Sequence, residues 1–258
     1  MISSSDNKQV KNVIQLISSS KARKKQGLFV VEGIRMIQET PLERIEAVYI
    51  AASYEDDYLQ HPMSQNCAYE VVEDKIFQKM SDTQTPQGIL ALVHKRSYTI
   101  NEILEGKSEG CILILDGIQD PGNLGTMIRT GEGAGIAGVI LSKDTADLYN
   151  PKTIRSTMGS IYRVPHVISE SLMETIEELK QKGVYVIATH LRGVKEYQEL
   201  EYVGLTGVLI GNEGNGLSET LVDLADELVR IPMEGSVESL NAAIAAALFM
   251  YEIKRKRK

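Results

Sequence analysis

Five polar residues in this chain lie in glycine-bearing segments where a strand should hand over to a helix: Asn123, Arg129, Glu213, Ser239 and Asn241. Asn123 and Arg129 belong to the run Asp116-Gly-Ile-Gln-Asp-Pro-Gly-Asn-Leu-Gly-Thr-Met-Ile-Arg129-Thr. Glu213 belongs to Gly211-Asn-Glu-Gly-Asn-Gly216, and the other two close the stretch from Ile231-Pro-Met to Ser239-Leu-Asn241. Glycines at a helix opening, as in Pro121-Gly-Asn-Leu-Gly125, let the backbone approach a ligand closely and turn free amides towards an anion. Arg129, about a turn and a half further on, can carry a guanidinium to a phosphate. The second loop can bend sharply, aim a carboxylate at a polar group and read an adenine or ribose edge with its main chain. Plainer readings stay open. A turn, an Asn cap and a solvent-facing arginine would leave the first pattern, a glycine turn the second, and Ser239 is a natural helix N-cap. Asn241 has less excuse, because it falls in the first turn of the expected helix and asparagine is a poor helix former. Gly131-Glu-Gly-Ala-Gly135 has the glycine density of a dinucleotide fingerprint, but it would close a helix instead of opening one. It reads as a helix end and a close-packing point, which argues against a Rossmann dehydrogenase.

The elements that must hold these loops follow from the apolar pattern. Strands are expected at 111–115, 139–141, 184–188, 207–210 and 228–231, and helices at 124–134, 151–158, 171–182, 218–224 and 240–254. This alternation predicts a parallel α/β sheet covered on both faces, with ligands at the carboxyl ends of its strands. Upstream, a helix is expected over 3–20, strands at 29–31, 47–51, 71–72 and 89–93, and short helices at 33–39, before Pro41, and 53–60. Residues 81–88 form a loop rich in turn formers. The expected organisation is a small α/β domain at 1–95, a polar linker at 96–110 and a larger domain at 111–258.

The 258 residues, 43% hydrophobic and 24% charged, suit one large or two small soluble domains. No apolar run approaches the roughly 20 residues of a membrane span, and the start of the chain lacks a signal-peptide layout, so a cytoplasmic protein is expected. Cys67, Cys111 and the four scattered histidines give neither a disulfide framework nor a zinc pattern, and no metal is expected. A net charge of −7 argues on its own against a nucleic-acid partner. Lys21-Ala-Arg-Lys-Lys25 and Lys254-Arg-Lys-Arg-Lys258 are nevertheless basic enough to meet phosphates. Each could equally be a solvated face, or a tail favoured by a helix dipole.

Taken in order, Asn-x-Gly-x-x-x-Arg, then Gly-Asn-Glu-Gly-x-Gly-Leu-Ser, then Ile-Pro-Met-x-Gly-x-x-x-Ser-Leu-Asn resembles the SpoU family of RNA ribose 2′-O-methyltransferases, in the SPOUT superfamily. The segment from Lys21 to Gly33 and Thr85-Pro-Gln-Gly88 are similar to the ribosomal-protein-like substrate-binding domain that many members carry. The resemblance implies a deep trefoil knot in the C-terminal domain and S-adenosylmethionine as methyl donor. It places Gly211, Ile231 and Leu240 as main-chain contacts to that donor, with Thr189 at the same pocket. It implies no metal, a homodimer through the C-terminal domain, and ribosomal RNA, with a leaning to 23S, or transfer RNA as substrate. Arg129 is implied to bind the phosphate next to the reacting hydroxyl. A base role would be demanding, since arginine keeps its proton up to about pH 12. Asn123, Glu213, Ser239 and Asn241 are implied to orient the ribose and Arg129, with Glu213 helping to neutralise its charge. A catalytically inactive RNA-binding paralogue is the alternative, and the intact Asn123, Arg129, Glu213 and Asn241 argue against it. A base-nitrogen methyltransferase is disfavoured by Ser239-Leu-Asn241. The acidic overall charge is a departure, and RNA would then be gripped mainly through the basic N-terminal segment.

Overall fold

The computed structural model describes residues 1–237 and 239–257; Glu238 and Lys258, the last residue of the C-terminal basic run, lie outside the described residues. The chain divides into two compact units.

The first unit is Met1–Arg96 with Tyr149–Tyr162. It runs α1 (Lys8–Ser18), α2 (Ser20–Gln26), β1 (Leu28–Glu32), α3 (Ile34–Gln38), β2 (Ile45–Ala51), α4 (Glu55–Leu59), β3 (Tyr69–Val72), α5 (Asp74–Met80) and β4 (Ile89–His94). Among the described residues its four strands form one sheet in the order β1-β4-β2-β3, antiparallel except for β2 against β3. Helical spacing buries Val10, Val13 and Leu16 of α1 in the core of this unit. The helix expected over 3–20 is divided at Ser19, whose hydroxyl accepts the Ala22 N–H at 3.2 Å and so opens α2. The first basic run therefore lies on a helix and splits in two. Arg23 is buried and donates to the carbonyls of Leu16 and Ile17 at 2.6 and 2.8 Å, satisfying the open end of α1. Lys21, Lys24 and Lys25 face solvent. Buried Glu32 holds the turn-rich loop, accepting from the Ser81 and Thr83 hydroxyls at 2.8 and 2.9 Å and from the Gln87 N–H at 3.1 Å. The helix Pro151–Thr157 and its flanks complete the unit. The Tyr149 ring lies 4.9 Å from that of Phe29, Arg155 pairs with Asp82 at 3.0 Å, and the Thr40 hydroxyl donates to that of Tyr162 at 2.8 Å.

The second unit is Ser97–Leu148 with Arg163–Lys258. The chain passes through α6 (Ile100–Leu104), β5 (Gly110–Leu115), α7 (Pro121–Ala134) and β6 (Gly138–Ser142) before α8, the Pro151–Thr157 helix already described. It returns with β7 (His166–Ser169), α9 (Leu172–Gln181), β8 (Tyr185–Thr189), β9 (Lys195–Glu196), β10 (Leu205–Ile210), α10 (Glu219–Val222), β11 (Glu227–Arg230) and α11 (Ala242–Lys256). Among the described residues seven strands, all parallel, form one sheet in the order β7-β6-β5-β10-β8-β11-β9. β5 and β10 are buried along their whole length, as central parallel strands covered on both faces must be. Having laid β6 and β7 outward from β5, the chain places β8 on the other side and then sets β10 between β5 and β8. That reversal gathers the loops after β5, β8, β10 and β11 at one edge, the usual ligand position in such sheets.

The expected linker is not a free connector. Its Thr99 opens α6 with a capping box: the Thr99 hydroxyl accepts the Glu102 N–H at 3.2 Å and the Glu102 carboxylate accepts the Thr99 N–H at 2.7 Å. Ile103 is wholly buried in the core of the second unit. A short surface helix held by one apolar side chain leaves a polar sequence. The residues from Ser97 onward thus belong to the second unit, whereas Tyr149–Tyr162 belongs to the first.

Candidate active site

The loops after three neighbouring strands, β8, β10 and β11, enclose a cavity of about 400 Å³ whose walls include Thr189, Gly211, Glu213, Ile231, Ser239 and Leu240. The main-chain N–H groups of Gly211, Ile231 and Leu240 have no acceptor among the described residues. The Thr189 hydroxyl donates to the Leu209 carbonyl at 3.0 Å, joining the ends of β8 and β10 beneath the cavity. Gly211 is there for close approach. A Cβ on it would overlap the main chain of Gly216 and Leu217 and stand 2.6 Å from the Gly216 carbonyl oxygen.

A line of side-chain hydrogen bonds ties the three glycine-bearing segments together. The Asn241 Nδ2 donates to Asn123 Oδ1 at 3.0 Å, and the Asn123 Nδ2 donates to Glu213 Oε1 at 3.0 Å. Primary amides suit this relay because each carries both donors and an acceptor. Glu213 also accepts the main-chain N–H groups of Gln119 at 2.9 Å and Asp120 at 3.2 Å. The amides expected to turn towards an outside anion are thus taken partly by an internal one. Asp120 takes another, accepting the Asn123 N–H at 2.8 Å as N-cap of α7, which begins at Pro121 and not at residue 124. The expectation for α11 also needs correction. Asn241, not Ser239, is its N-cap, accepting from the N–H groups of Ala243 and Ile244 at 2.9 and 3.3 Å. The helix starts two residues later than expected, and Ser239 is left exposed on the cavity wall.

Arg129 stands apart. It lies exposed on α7, with no hydrogen bond or ion pair to the described residues, and it is not among the residues that line the cavity. Glu213 behaves differently. Burial pushes its carboxyl up, but the hydrogen bonds from the Asn123 side chain and the main chain outweigh this and hold its pKa below the ordinary 4.5. With the folded-state value depressed, the ties to Glu213 contribute stability above the ordinary carboxylate range and lose it as pH falls through the lowered value.

Residues 110–251 match the family model of the SpoU rRNA Methylase family. The chain belongs to that family. Residues 7–91 of this SpoU protein also match the MRM3-like substrate binding domain. Among curated relatives, the 23S rRNA (guanosine(2553)-2'-O)-methyltransferase RlmP of Bacillus subtilis is 33% identical over 253 residues, 98% of each chain. Among solved structures, the AdoMet-bound rRNA methyltransferase from Sinorhizobium meliloti has a TM-score of 0.86 at 30% identity, covering 100% of this chain and 98% of that one. The SpoU methyltransferase AviRb from Streptomyces viridochromogenes, in complex with the cofactor AdoMet, also scores 0.86 at 27% identity over 97% and 98% of the two chains.

The two basic runs of this SpoU chain differ in their surroundings. At the C-terminal run, the Lys254 ammonium donates to the Gly133 carbonyl at 2.9 Å, and that of Lys256 to Gln198 and Leu200 at 2.6 and 2.7 Å. Arg255 pairs with Glu252 at 2.6 Å, and Arg257 donates to the Gly204 carbonyl at 3.3 Å. This run closes the end of α11 on groups of the fold itself, while the lysines of α2 face water. Among the described residues no helix is long and apolar enough to cross a membrane, and no group of three or more His, Cys, Asp or Glu could hold a metal ion.

Proposed function

We propose that this protein transfers a methyl group from S-adenosylmethionine to a ribose 2′-hydroxyl of ribosomal RNA, with 23S RNA the first candidate. The observation that carries the reading is the Asn241, Asn123 and Glu213 hydrogen-bond line at the lip of the cavity, which draws three separate segments of a SpoU chain into one site. The end-to-end similarity to a relative named for 23S rRNA 2'-O-methylation favours the substrate class. A catalytically inactive RNA-binding paralogue would have no use for this arrangement.

The cavity fits the methyl donor. Its volume of about 400 Å³ lies in the range of small-molecule sites. Leu217, Val229, Ile231 and Leu240 offer apolar walls for a purine ring, beside main-chain N–H groups that are free to donate. Thr189, Gly211, Ile231 and Leu240 are the residues that would hold it. When bound, S-adenosylmethionine supplies a methyl group made electrophilic by the attached sulfonium.

The chain's own task is to bring the 2′-hydroxyl into line and ease its deprotonation, because a neutral alcohol is a weak nucleophile. Arg129 serves through its charge, gripping the phosphate beside that hydroxyl and stabilising the oxyanion that develops as the hydroxyl proton passes to water. Asn123, Asn241 and Ser239 orient the ribose. Glu213, already accepting three N–H groups and held below the ordinary carboxylate range, acts as a fixed anion and not as the proton acceptor. The pH–rate profile tests this. Glu213→Gln is expected to lower the rate by the same factor, roughly 10- to 100-fold, between about pH 5 and 9. An acid limb of the parent enzyme that vanishes in the variant would make Glu213 a base instead.

We further infer that the C-terminal domain is knotted and dimeric. Membership of the SpoU family supports a deep trefoil knot in this domain. α11 exposes Ile244 and Tyr251 beside small alanines, an apolar face suited to a second copy. Lys21, Lys24 and Lys25 on α2 are the cations placed to meet RNA phosphates, and the similarity to a bacterial 23S rRNA methyltransferase favours a cytoplasmic enzyme.

The test incubates the purified chain with methyl-labelled S-adenosylmethionine and ribosomal RNA from cells lacking the gene. Label in positions that resist alkaline cleavage supports the reading, since the methyl group removes the internal nucleophile. Label on a base, or none, overturns it.

A further inference from the structure

The loop after β10 carries no apolar side chain from Asn212 to Gly216, so its shape rests on hydrogen bonds. Asn212 supplies most of them. Its main-chain N–H and carbonyl pair with those of Gly216 at 3.1 and 2.9 Å and close the loop. Its Oδ1 accepts the N–H groups of Gly214 and Asn215 at 2.8 and 3.0 Å. Its Nδ2 donates across to the loop after β5, to the Gly117 carbonyl at 2.7 Å. N–H partners on one side and a carbonyl on the other leave a single orientation for the amide.

Gly117 is a junction. Its N–H donates to the Ser142 hydroxyl at 2.9 Å, and its carbonyl also accepts the Gln119 Nε2 at 3.0 Å. The N–H groups of Gln119 and Asp120 then meet the Glu213 carboxylate. Two adjacent residues therefore grip one loop: Asn212 by donating to it and Glu213 by accepting from it.

We propose that Asn212 is a positioning residue for methyl transfer. Through the Gly117 carbonyl it fixes the loop after β10 against the loop after β5, and so sets where the Glu213 carboxylate meets Gln119, Asp120 and Asn123. The inference rests on the reading of Glu213 and Asn123 as site residues. Residue type is decisive here. Aspartate would keep the acceptor for Gly214 and Asn215 but set its second oxygen against the Gly117 carbonyl, two acceptors facing with no proton between them.

The test compares the full-length parent with Asn212→Asp, using ribosomal RNA from cells lacking the gene and methyl-labelled S-adenosylmethionine. Turnover is expected to fall by about 10- to 100-fold, the worth of a hydrogen bond in a charged network. The Kd for S-adenosylmethionine, measured by calorimetry, should weaken by less than about tenfold and by clearly less than turnover, because Asn212 lines the donor cavity but its aspartate replacement keeps the acceptor that holds Gly214 and Asn215. In a Glu213→Gln background the same substitution should cost less than about threefold, since the group it positions is already altered. Asn212→Ser, whose short hydroxyl can accept within its own loop but does not reach the Gly117 carbonyl, is expected to show the same split and serves if the aspartate variant does not fold. Turnover within about threefold of the parent in both variants overturns the role, as does a parallel loss of turnover and donor affinity, or full additivity with Glu213→Gln. A parent that methylates no RNA overturns the functional reading itself, which a parent that transfers normally beside an unimpaired variant does not.

Discussion

Replacing Arg129 by alanine is expected to cut methyl transfer to RNA by about 100- to 1000-fold, the usual loss when a charge aimed at a developing oxyanion is removed. S-adenosylmethionine affinity should stay within about twofold, because Arg129 is not among the residues lining the cavity. Folding should be equally indifferent. The side chain is exposed and bonds to no described residue, and substitutions at such places change stability by no more than about 0.5 kcal/mol. Arg129→Lys should recover little if the guanidinium grips a phosphate through two parallel hydrogen bonds, which an ammonium cannot copy. Single-turnover transfer, donor-binding calorimetry and thermal melts on the same preparations check all of this. Transfer by Arg129→Ala within threefold of the parent would return Arg129 to the status of a surface arginine.

Gly211→Ala should have the opposite signature, losing the donor first. The added Cβ would overlap main-chain atoms of Gly216 and Leu217, and main chain cannot swing aside as the end of a flexible side chain can. Overpacking of this kind costs about 1–3 kcal/mol, and more where backbone must move. At roughly 2–4 °C per kcal/mol for a domain of this size, the melting temperature should drop by several degrees. Displacing the loop also moves the cavity wall, so S-adenosylmethionine affinity should weaken by about 100-fold or more. Gly214→Ala is the control in the same loop, since its Cβ would meet nothing nearer than Asn212 Oδ1 at 3.4 Å. Normal binding by Gly211→Ala would show that the loop has room that the described backbone denies it.

The loops that make the site were legible because each interrupts an apolar run with glycine and polar residues. β5 and β10 are wholly buried, so their sequences carry no alternation and read as strands at once. β7 carries no clear strand pattern because it runs at the margin of the sheet, with His166 buried and Ile168 53% exposed. β9 has only two residues, too few for any pattern. Asn241 and Ser239 are both good cap residues, and which one starts α11 depends on where the preceding loop ends. Asn212 was in plain view, yet its decisive bond reaches a carbonyl 95 residues away, which no local spacing announces. The amphipathic pattern of α8 shows that one face is covered but not which sheet covers it.

That helix has a consequence for how the protein is made. β1 to β4 have all left the ribosome once His94 has, but α8, which packs against β1, has not, and the Phe29 ring lacks Tyr149 and Tyr162 beside it. Synthesis must first pass through β5, α7 and β6, which belong to the other unit. At about 5–20 residues per second, this leaves the first unit incomplete for several seconds. The nascent chain therefore cannot finish its first half before it has begun its second.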